Sequence, residues 1–374
     1  MRFLLIPDKF KGSLSARDVI QAISEGIVEA RPSAQFHHIL ASDGGDGFLD
    51  AVRNYLEVER IIVDTLDPLG RPVQAPYLYD SQNQTAYLEL AAASGLVLLK
   101  EEERDAMQTS TIGSGIQIQH AISKGARRVY LGLGGSATND GGMGMASTLG
   151  YKFLDQYGNA LEPTGANLRL VQHIDESEVS PNLGEISFFA INDVNNPLYG
   201  PEGAAYVYAE QKGADQKEIG LLDDGLKQLH KTVARILEKE VADVPGSGAA
   251  GGSAFGLKAF FGAEYISGID FILNLAGADR LLEEEKIDFI ITGEGRIDDQ
   301  TLHGKLISGV LTLGQRYEVP VMAVCGMLDT DSAILKKQGL KEILEVRDPE
   351  KPLSYNMENA FMLIKKAFSD FFRQ

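Results

Sequence analysis

Five glycines fall between Gly132 and Gly142, directly after the β-branched and aromatic run Arg128-Val129-Tyr130-Leu131. The run reads as a strand, and Leu133-Gly134-Gly135-Ser136-Ala137-Thr138-Asn139-Asp140-Gly141-Gly142 as the loop leaving it. A structural turn needs one or two glycines. A loop richer than that leaves backbone N–H groups uncovered, and such groups wrap anions such as phosphate. Ser136, Thr138 and Asn139 add neutral side chains that hydrogen-bond phosphate oxygens, and Asp140 adds a candidate Mg²⁺ ligand. The competing reading is an ordinary irregular loop with no ligand.

The rest of the chain surrounds this loop with alternating β and α patterns. A strand is expected over 2–6, followed by a polar loop and a helix capped by Ser15, with Val19, Ile20, Ile23 and Ile27 on one face. A second strand over 35–40 leads to Asp43-Gly44-Gly45-Asp46-Gly47 and another helix. Near the C-terminus, a strand over 288–292, a loop over 293–299, a helix over 300–315 and a strand over 319–325 repeat the alternation. This pattern argues for a Rossmann-like α/β domain with a parallel sheet covered on both faces.

The middle differs. Runs over 61–66, 73–79 and 84–90 read as short antiparallel strands, and a long charged helix is expected over 215–241. At 374 residues the chain exceeds the usual size of one core. Residues 1–65 plus 286–374 are therefore expected to form the Rossmann-like domain, and 66–285 an inserted second α/β domain.

Charge narrows the partners. The net charge of -18 excludes a general nucleic-acid or anionic-membrane surface, while still allowing an anionic substrate held by a few gathered cations. The single cysteine, Cys325, lies in an apolar run and reads as a buried strand residue. No disulfide framework, signal segment or membrane-spanning run is apparent, so a soluble cytoplasmic protein is expected. A homo-oligomer stays open.

Four further loops carry chemistry. Lys9 and Lys11 flank Phe10 ahead of Gly12-Ser13, where a strand gives way to a helix, a natural carboxylate or phosphate site. Asp43 and Asp46 stand three apart in a flexible backbone, suited to a divalent cation or acid–base work. Asn192-Asp193-Val194-Asn195-Asn196-Pro197 emerges at the end of a strand over 186–191. Thr292-Gly293-Glu294-Gly295-Arg296-Ile297-Asp298 combines a close-approach backbone with two carboxylates and a guanidinium that can clamp a carboxylate or phosphoryl group; an internal ion pair is the plainer alternative. The uncharged glycine-rich stretch 246–252 reads equally as a hinge, a close-packing loop or a ligand loop.

No G-x-x-x-x-G-K-[ST] is present, which excludes a P-loop NTPase, and the protein-kinase motifs are absent. Gly132-x-Gly134-x-x-Ala137, with Asp155 further on, imitates a dinucleotide fingerprint and offers an NAD(P)-dependent oxidoreductase of a small hydroxy acid as an alternative. Its crossover helix would have to run through Thr138-Asn139-Asp140-Gly141-Gly142, which suits a loop better. A non-catalytic sensor of a small acid is the other alternative.

Taken in order, Pro7-Asp8-Lys9-Phe10-Lys11-Gly12-Ser13-Leu14-Ser15-Ala16, Asp43-Gly44-Gly45-Asp46-Gly47, the 134–142 loop, Asp193-Val194-Asn195-Asn196-Pro197-Leu198-Tyr199-Gly200, the 245–252 stretch and Ile291-Thr292-Gly293-Glu294-Gly295-Arg296-Ile297-Asp298 resemble the class I glycerate kinase family. The chain departs from that pattern at Lys9, where serine is common, at Asp46, where glutamate is usual, and at Asn192, where cysteine is frequent. The resemblance implies ATP-dependent phosphorylation of D-glycerate, usually to 2-phosphoglycerate, by two α/β domains with the active site in the cleft between them. ATP with Mg²⁺ and D-glycerate are the implied small-molecule partners.

On that basis Gly134, Gly135, Ser136 and Asn139 are expected to cradle phosphates, with Gly293 and Glu294 also at the nucleotide. Lys11 and Arg296 are expected to hold glycerate's carboxylate or the γ-phosphate, and Lys9, Ser13 and Asn195 to contact substrate. Asp43, Asp193 and Asp298 compete for general base and metal ligand, with Asp193 favoured as the base. Asp43, Asp46 and Asp140 are the metal candidates.

Overall fold

The structure is a computed structural model that describes residues 1–40, 47–298 and 305–373. It divides into two compact units, Met1–Asp43 with Gly268–Gln374, and Gly44–Ser267. The chain opens the first unit with β1 (Arg2–Pro7) and β2 (Gln35–His38), which pair in parallel. Phe3, Leu4, Leu5 and Ile6 are all fully buried, as a strand covered on both faces requires. Between them runs the helix Ala16–Ala30, with Ser15 as the expected cap: its hydroxyl accepts from Asp18 N and the Asp18 carboxylate accepts from Ser15 N. A Cβ at Gly26 would stand 2.3 Å from Lys365 O, so this glycine lets the helix lie tightly on the C-terminal helix Ala360–Arg373.

The second unit holds β3 (Glu59–Leu66), β4 (Pro72–Asp80), β5 (Thr85–Glu89), β6 (Arg128–Gly132), the small pair β7 (Lys152–Leu154) and β8 (His173–Asp175), then β9 (Ser187–Ile191) and β10 (Glu264–Ile266). Its main sheet runs β10-β9-β6-β5-β4-β3. The expected antiparallel pairing holds for β3–β4 and β4–β5; from β5 through β6 and β9 to β10 the sheet is parallel. The long helix spans Gln216–Leu237, capped by Asp215.

The chain then returns to the first sheet with β11 (Phe289–Asp298), β12 (Val321–Asp329) and β13 (Leu340–Glu345), giving the order β13-β12-β11-β1-β2, parallel throughout. Succession runs outward from β1 to β2 on one side and from β11 to β13 on the other. The sheet therefore reverses direction between β1 and β11, and the carboxyl ends of the strands flanking such a reversal are where open parallel sheets receive ligands.

Two expectations change, and one alternative is settled. The units part near 43 and 267 rather than at 65 and 285. β3 pairs with β4 along its whole length and so belongs to the second sheet, while the helix Gly268–Leu275 packs on Lys305–Arg316, where a Cβ at Gly309 would meet Ile269 at 2.6 Å. Residues 293–298, read as loop, are the second half of β11, because β12 extends beside them and pairs Arg296 with Met327 and Asp298 with Asp329. The 246–252 stretch is a packing element: Ala250, Gly251 and Gly252 are left-handed, and a Cβ at Gly251 would lie 2.0 Å from Thr138 O. Cys325 is a buried strand residue as expected, and burial pushes its thiol up to about 12, leaving it unreactive. Among the described residues no helix is long and apolar enough to cross a membrane.

Candidate active site

In the second unit, the glycine-rich loop leaves the carboxyl end of β6. Backbone bonds fix it on several sides: Leu133 N donates to Ile191 O (3.0 Å), Leu96 N to Gly135 O (2.9 Å) and Ala137 N to Ser94 O (2.9 Å). Gly134 is half-buried and Gly135 exposed, with Gly135 left-handed at φ 73°. Ser136, next along, is 6% exposed, and Thr138, Asn139 and Asp140 are completely buried. The loop thus has an uncovered tip, Gly134-Gly135, on a buried base that begins at Ser136.

Asp140 belongs to the base. Its carboxylate accepts from Thr111 N (2.8 Å), Thr111 Oγ1 (2.7 Å), Gly142 N (3.1 Å) and Gly144 N (3.1 Å). Burial pushes its carboxyl above the usual range, against these four donors, which favour the carboxylate. Such a group has no free face for a cation, so the metal role expected for Asp140 is corrected to a structural one. Asn139 also moves: it lies under the loop, and neither of its amide atoms has a partner among the described residues.

The sequence reading missed Lys212, in the short turn Glu210–Lys212. The residue is only 2% exposed, and its ammonium donates to Ser136 Oγ and Thr138 O, both at 2.8 Å. No periodicity or motif marks a lone lysine between Gln211 and Gly213; only tertiary packing brings it under the loop. Burial pulls its pKa down to about 7, with the nearby Asp140 carboxylate acting in the opposite direction. A lysine whose folded pKa lies below its unfolded one penalises the fold wherever the unfolded chain holds a proton that the folded chain binds less well. The penalty is complete below about pH 7 and relieved as pH rises toward about 10.5. Stability should therefore climb across that window, by up to about 1.4 kcal/mol per pH unit from this group, and Lys212→Met should remove the climb in denaturant titrations.

β9 runs parallel to β6, so its following loop leaves the same edge of the sheet. Asp193 there is half-buried and accepts from Ser267 Oγ (3.2 Å), and Asn195 is exposed. Asn196 is spent internally, on Glu202 O (2.8 Å) and Tyr208 OH (2.7 Å).

In the first unit, the structure brings together the loop after β1 and the end of β11. Asp8 N donates to Gly293 O (2.8 Å), and a Cβ at Gly295 would approach Lys11 N at 3.4 Å. Lys9 and Lys11 are exposed. Arg296 pairs with Asp329 through Nη2 and with Asp298 through Nε (3.7 Å), so the guanidinium works inside a carboxylate network whose exposed part can exchange partners with an incoming anion. Glu294 is half-buried within β11. Two expected site residues have structural roles instead. Gly293 is buried inside the sheet, where a Cβ would stand 2.2 Å from Val324 O; it is glycine for strand packing, not for a nucleotide. Ser13 Oγ donates to Met357 O (2.6 Å) and anchors its loop rather than a substrate. Asp43 and Asp46 lie outside the described residues. Among the described residues no group of three or more His, Cys, Asp or Glu could hold a metal ion.

The helix following the glycine-rich loop, Met143–Thr148, has six residues, too few for the crossover helix of the dehydrogenase alternative. Comparison with known proteins agrees. The glycerate kinase family matches residues 3–374. A glycerate kinase of Halalkalibacterium halodurans is 37% identical over 98% of this chain and 91% of its own, and a glycerate 2-kinase of Escherichia coli is 38% identical over 92% and 90%. A crystal structure described as that of a glycerate kinase 2 from Salmonella typhimurium LT2 superposes with a TM-score of 0.82 at 35% identity, covering 100% of this chain and 97% of that one. With its ordered loops, two α/β units and this likeness along its whole length, the chain belongs to the glycerate kinase family and is a phosphotransferase.

Proposed function

We propose that the protein transfers the γ-phosphoryl group of ATP, delivered as its Mg²⁺ complex, to the 2-hydroxyl of D-glycerate. The observation that carries this reading is the uncovered tip Gly134-Gly135 at the carboxyl end of β6, held by backbone bonds and by the buried Ser136 beneath it. A kinase needs such fixed donors because phosphoryl transfer is catalysed mostly by positioning and electrostatics. The choice of the 2-hydroxyl draws on the Escherichia coli relative, which is named a glycerate 2-kinase.

In this reading the loop tip binds the nucleotide phosphates. Lys11 and Arg296 neutralise the acceptor carboxylate or the γ-phosphate, with Lys9 and Glu294 as further substrate contacts from the first unit and Asn195 as one from the second. Asp193 takes the proton of the 2-hydroxyl as its oxygen bonds to the γ-phosphorus; the bond to the bridging oxygen breaks and ADP leaves. Mg²⁺ bound to nucleotide keeps several waters and needs only one or two protein carboxylates. Asp298 is the described carboxylate suited to that task, and Asp140 is not.

Incubation with Mg-ATP and D-glycerate should yield ADP and 2-phosphoglycerate in equal amounts, resolved by phosphorus NMR. Excess EDTA should abolish turnover and added Mg²⁺ restore it. Formation of 3-phosphoglycerate would move the acceptor to the other hydroxyl, and full activity with metal-free nucleotide would remove Mg²⁺ from the reaction.

A further inference from the structure

We propose that Lys212 is the positioning residue of the phosphate loop, pinning Ser136 and Thr138 from beneath so that the Gly134-Gly135 tip is held ready for a nucleotide phosphate. This rests on the reading of that tip as the nucleotide site.

The first ground is placement. Lys212 reaches the residue directly after the exposed Gly135, and it reaches Thr138 on the far side of Ala137. One ammonium thereby fixes both ends of the segment on which the tip stands. The second is its own rigidity. Gly213 is left-handed, and a Cβ there would lie 2.1 Å from Arg104 O, so the turn carrying Lys212 is pressed directly onto neighbouring backbone.

The third ground is cost. Burying an ammonium is expensive, and two neutral acceptors do not by themselves call for a charge. A cation under a loop of N–H groups repays that cost when an anion binds above it. The third ammonium proton has no hydrogen-bond partner among the described residues, nor do Thr138 Oγ1 and the Asn139 amide beside it. The base of the loop is therefore not saturated by neutral bonds, and Lys212 is its cationic tie. At 2% exposure Lys212 acts through Ser136 and the backbone rather than by touching the phosphate itself.

The charged groups around it are Asp140 on the loop, Glu210 in its own turn and Arg104, whose guanidinium reaches Gln211 O at 3.5 Å. Of the facing groups only Asp140 shifts Lys212 appreciably.

The test measures ADP binding by calorimetry with Mg²⁺, alongside steady-state kinetics and melting temperature, for wild type, Lys212→Met and Lys212→Arg. Lys212→Met should weaken ADP and raise KM for ATP by at least about tenfold, with KM for D-glycerate within about twofold. Lys212→Arg should recover part of the loss. As pH rises from about 7 to about 9.5, wild type should lose ADP affinity roughly tenfold as the ammonium deprotonates, whereas Lys212→Arg should stay flat. Should Lys212→Met fail to fold, this pH comparison decides alone. Wild-type ADP affinity in Lys212→Met, an equal rise of both KM values, or matching pH profiles of wild type and Lys212→Arg would overturn the proposal. A wild-type protein that binds no ADP would instead overturn the nucleotide reading beneath it.

Discussion

Gly135→Val is expected to cut kcat/KM for ATP by at least about a hundredfold, roughly 2.7 kcal/mol of transition-state stabilisation, in a protein that still folds. Gly135 is exposed and sits at φ 73°, and its carbonyl is held by Leu96 N at 2.9 Å. A β-branched residue resists that left-handed backbone by about 1–2 kcal/mol and places methyl groups where the proposed function has a phosphate approach. Because the position is exposed, the core pays only for backbone strain, and the melting temperature should fall by a few degrees. Steady-state kinetics at varied ATP, with a thermal melt on the same sample, separates the two effects. A variant that melts early yet phosphorylates glycerate normally would make this loop scaffold rather than site.

Asp140→Ala is expected to have the largest effect on stability, about 3–5 kcal/mol, because it strands buried donors on Thr111, Gly142 and Gly144. Asp140→Asn, which keeps the shape but turns an NH₂ toward some of those donors, should cost about 2–3 kcal/mol. Chemical denaturation checks both. The folded fraction of Asp140→Asn should keep the wild-type Mg²⁺ requirement. A metal ligand would behave in the opposite way: unchanged stability and a sharply raised Mg²⁺ requirement, an outcome that would return Asp140 to the active site.

The contrast between these neighbours shows where reading the sequence stops. Gly135 and Asp140 stand five residues apart in one polar loop, and composition gives both the look of ligand residues. What separates them is Thr111, which comes from a distant segment and presents both its N–H and its hydroxyl to the carboxylate. The same limit explains Gly293: a glycine beside a carboxylate and an arginine suggests a close ligand, but the close neighbour is Val324 O of the adjoining strand. Ser13 looked like a contact to an anion and is tied to Met357 O.

Lys212 is the converse case. Its significance depends wholly on burial, and nothing in Gln211-Lys212-Gly213 announces that a chain segment more than seventy residues from Ser136 will fold beneath it. The extended β11 was hidden for a related reason. Gly293-Glu294-Gly295-Arg296 lacks the apolar alternation of a strand, and it is strand because β12 supplies a full ladder of partners.

By itself the sequence determined what is local. Strand runs such as Phe3-Leu4-Leu5-Ile6, the Ser15–Asp18 capping box, the antiparallel pairing of β3 to β5 and the ordered loops of the glycerate kinase family all follow from residue types within a few positions of one another. Periodicity and capping act over one or two turns of chain, so they survive in the one-dimensional record. Only the tertiary structure decided which polar residues are spent on the protein itself. Whether a carboxylate, a hydroxyl or an ammonium is free for a ligand depends on the partners that distant segments bring to it and on the water they exclude, and both are set when the sheets close.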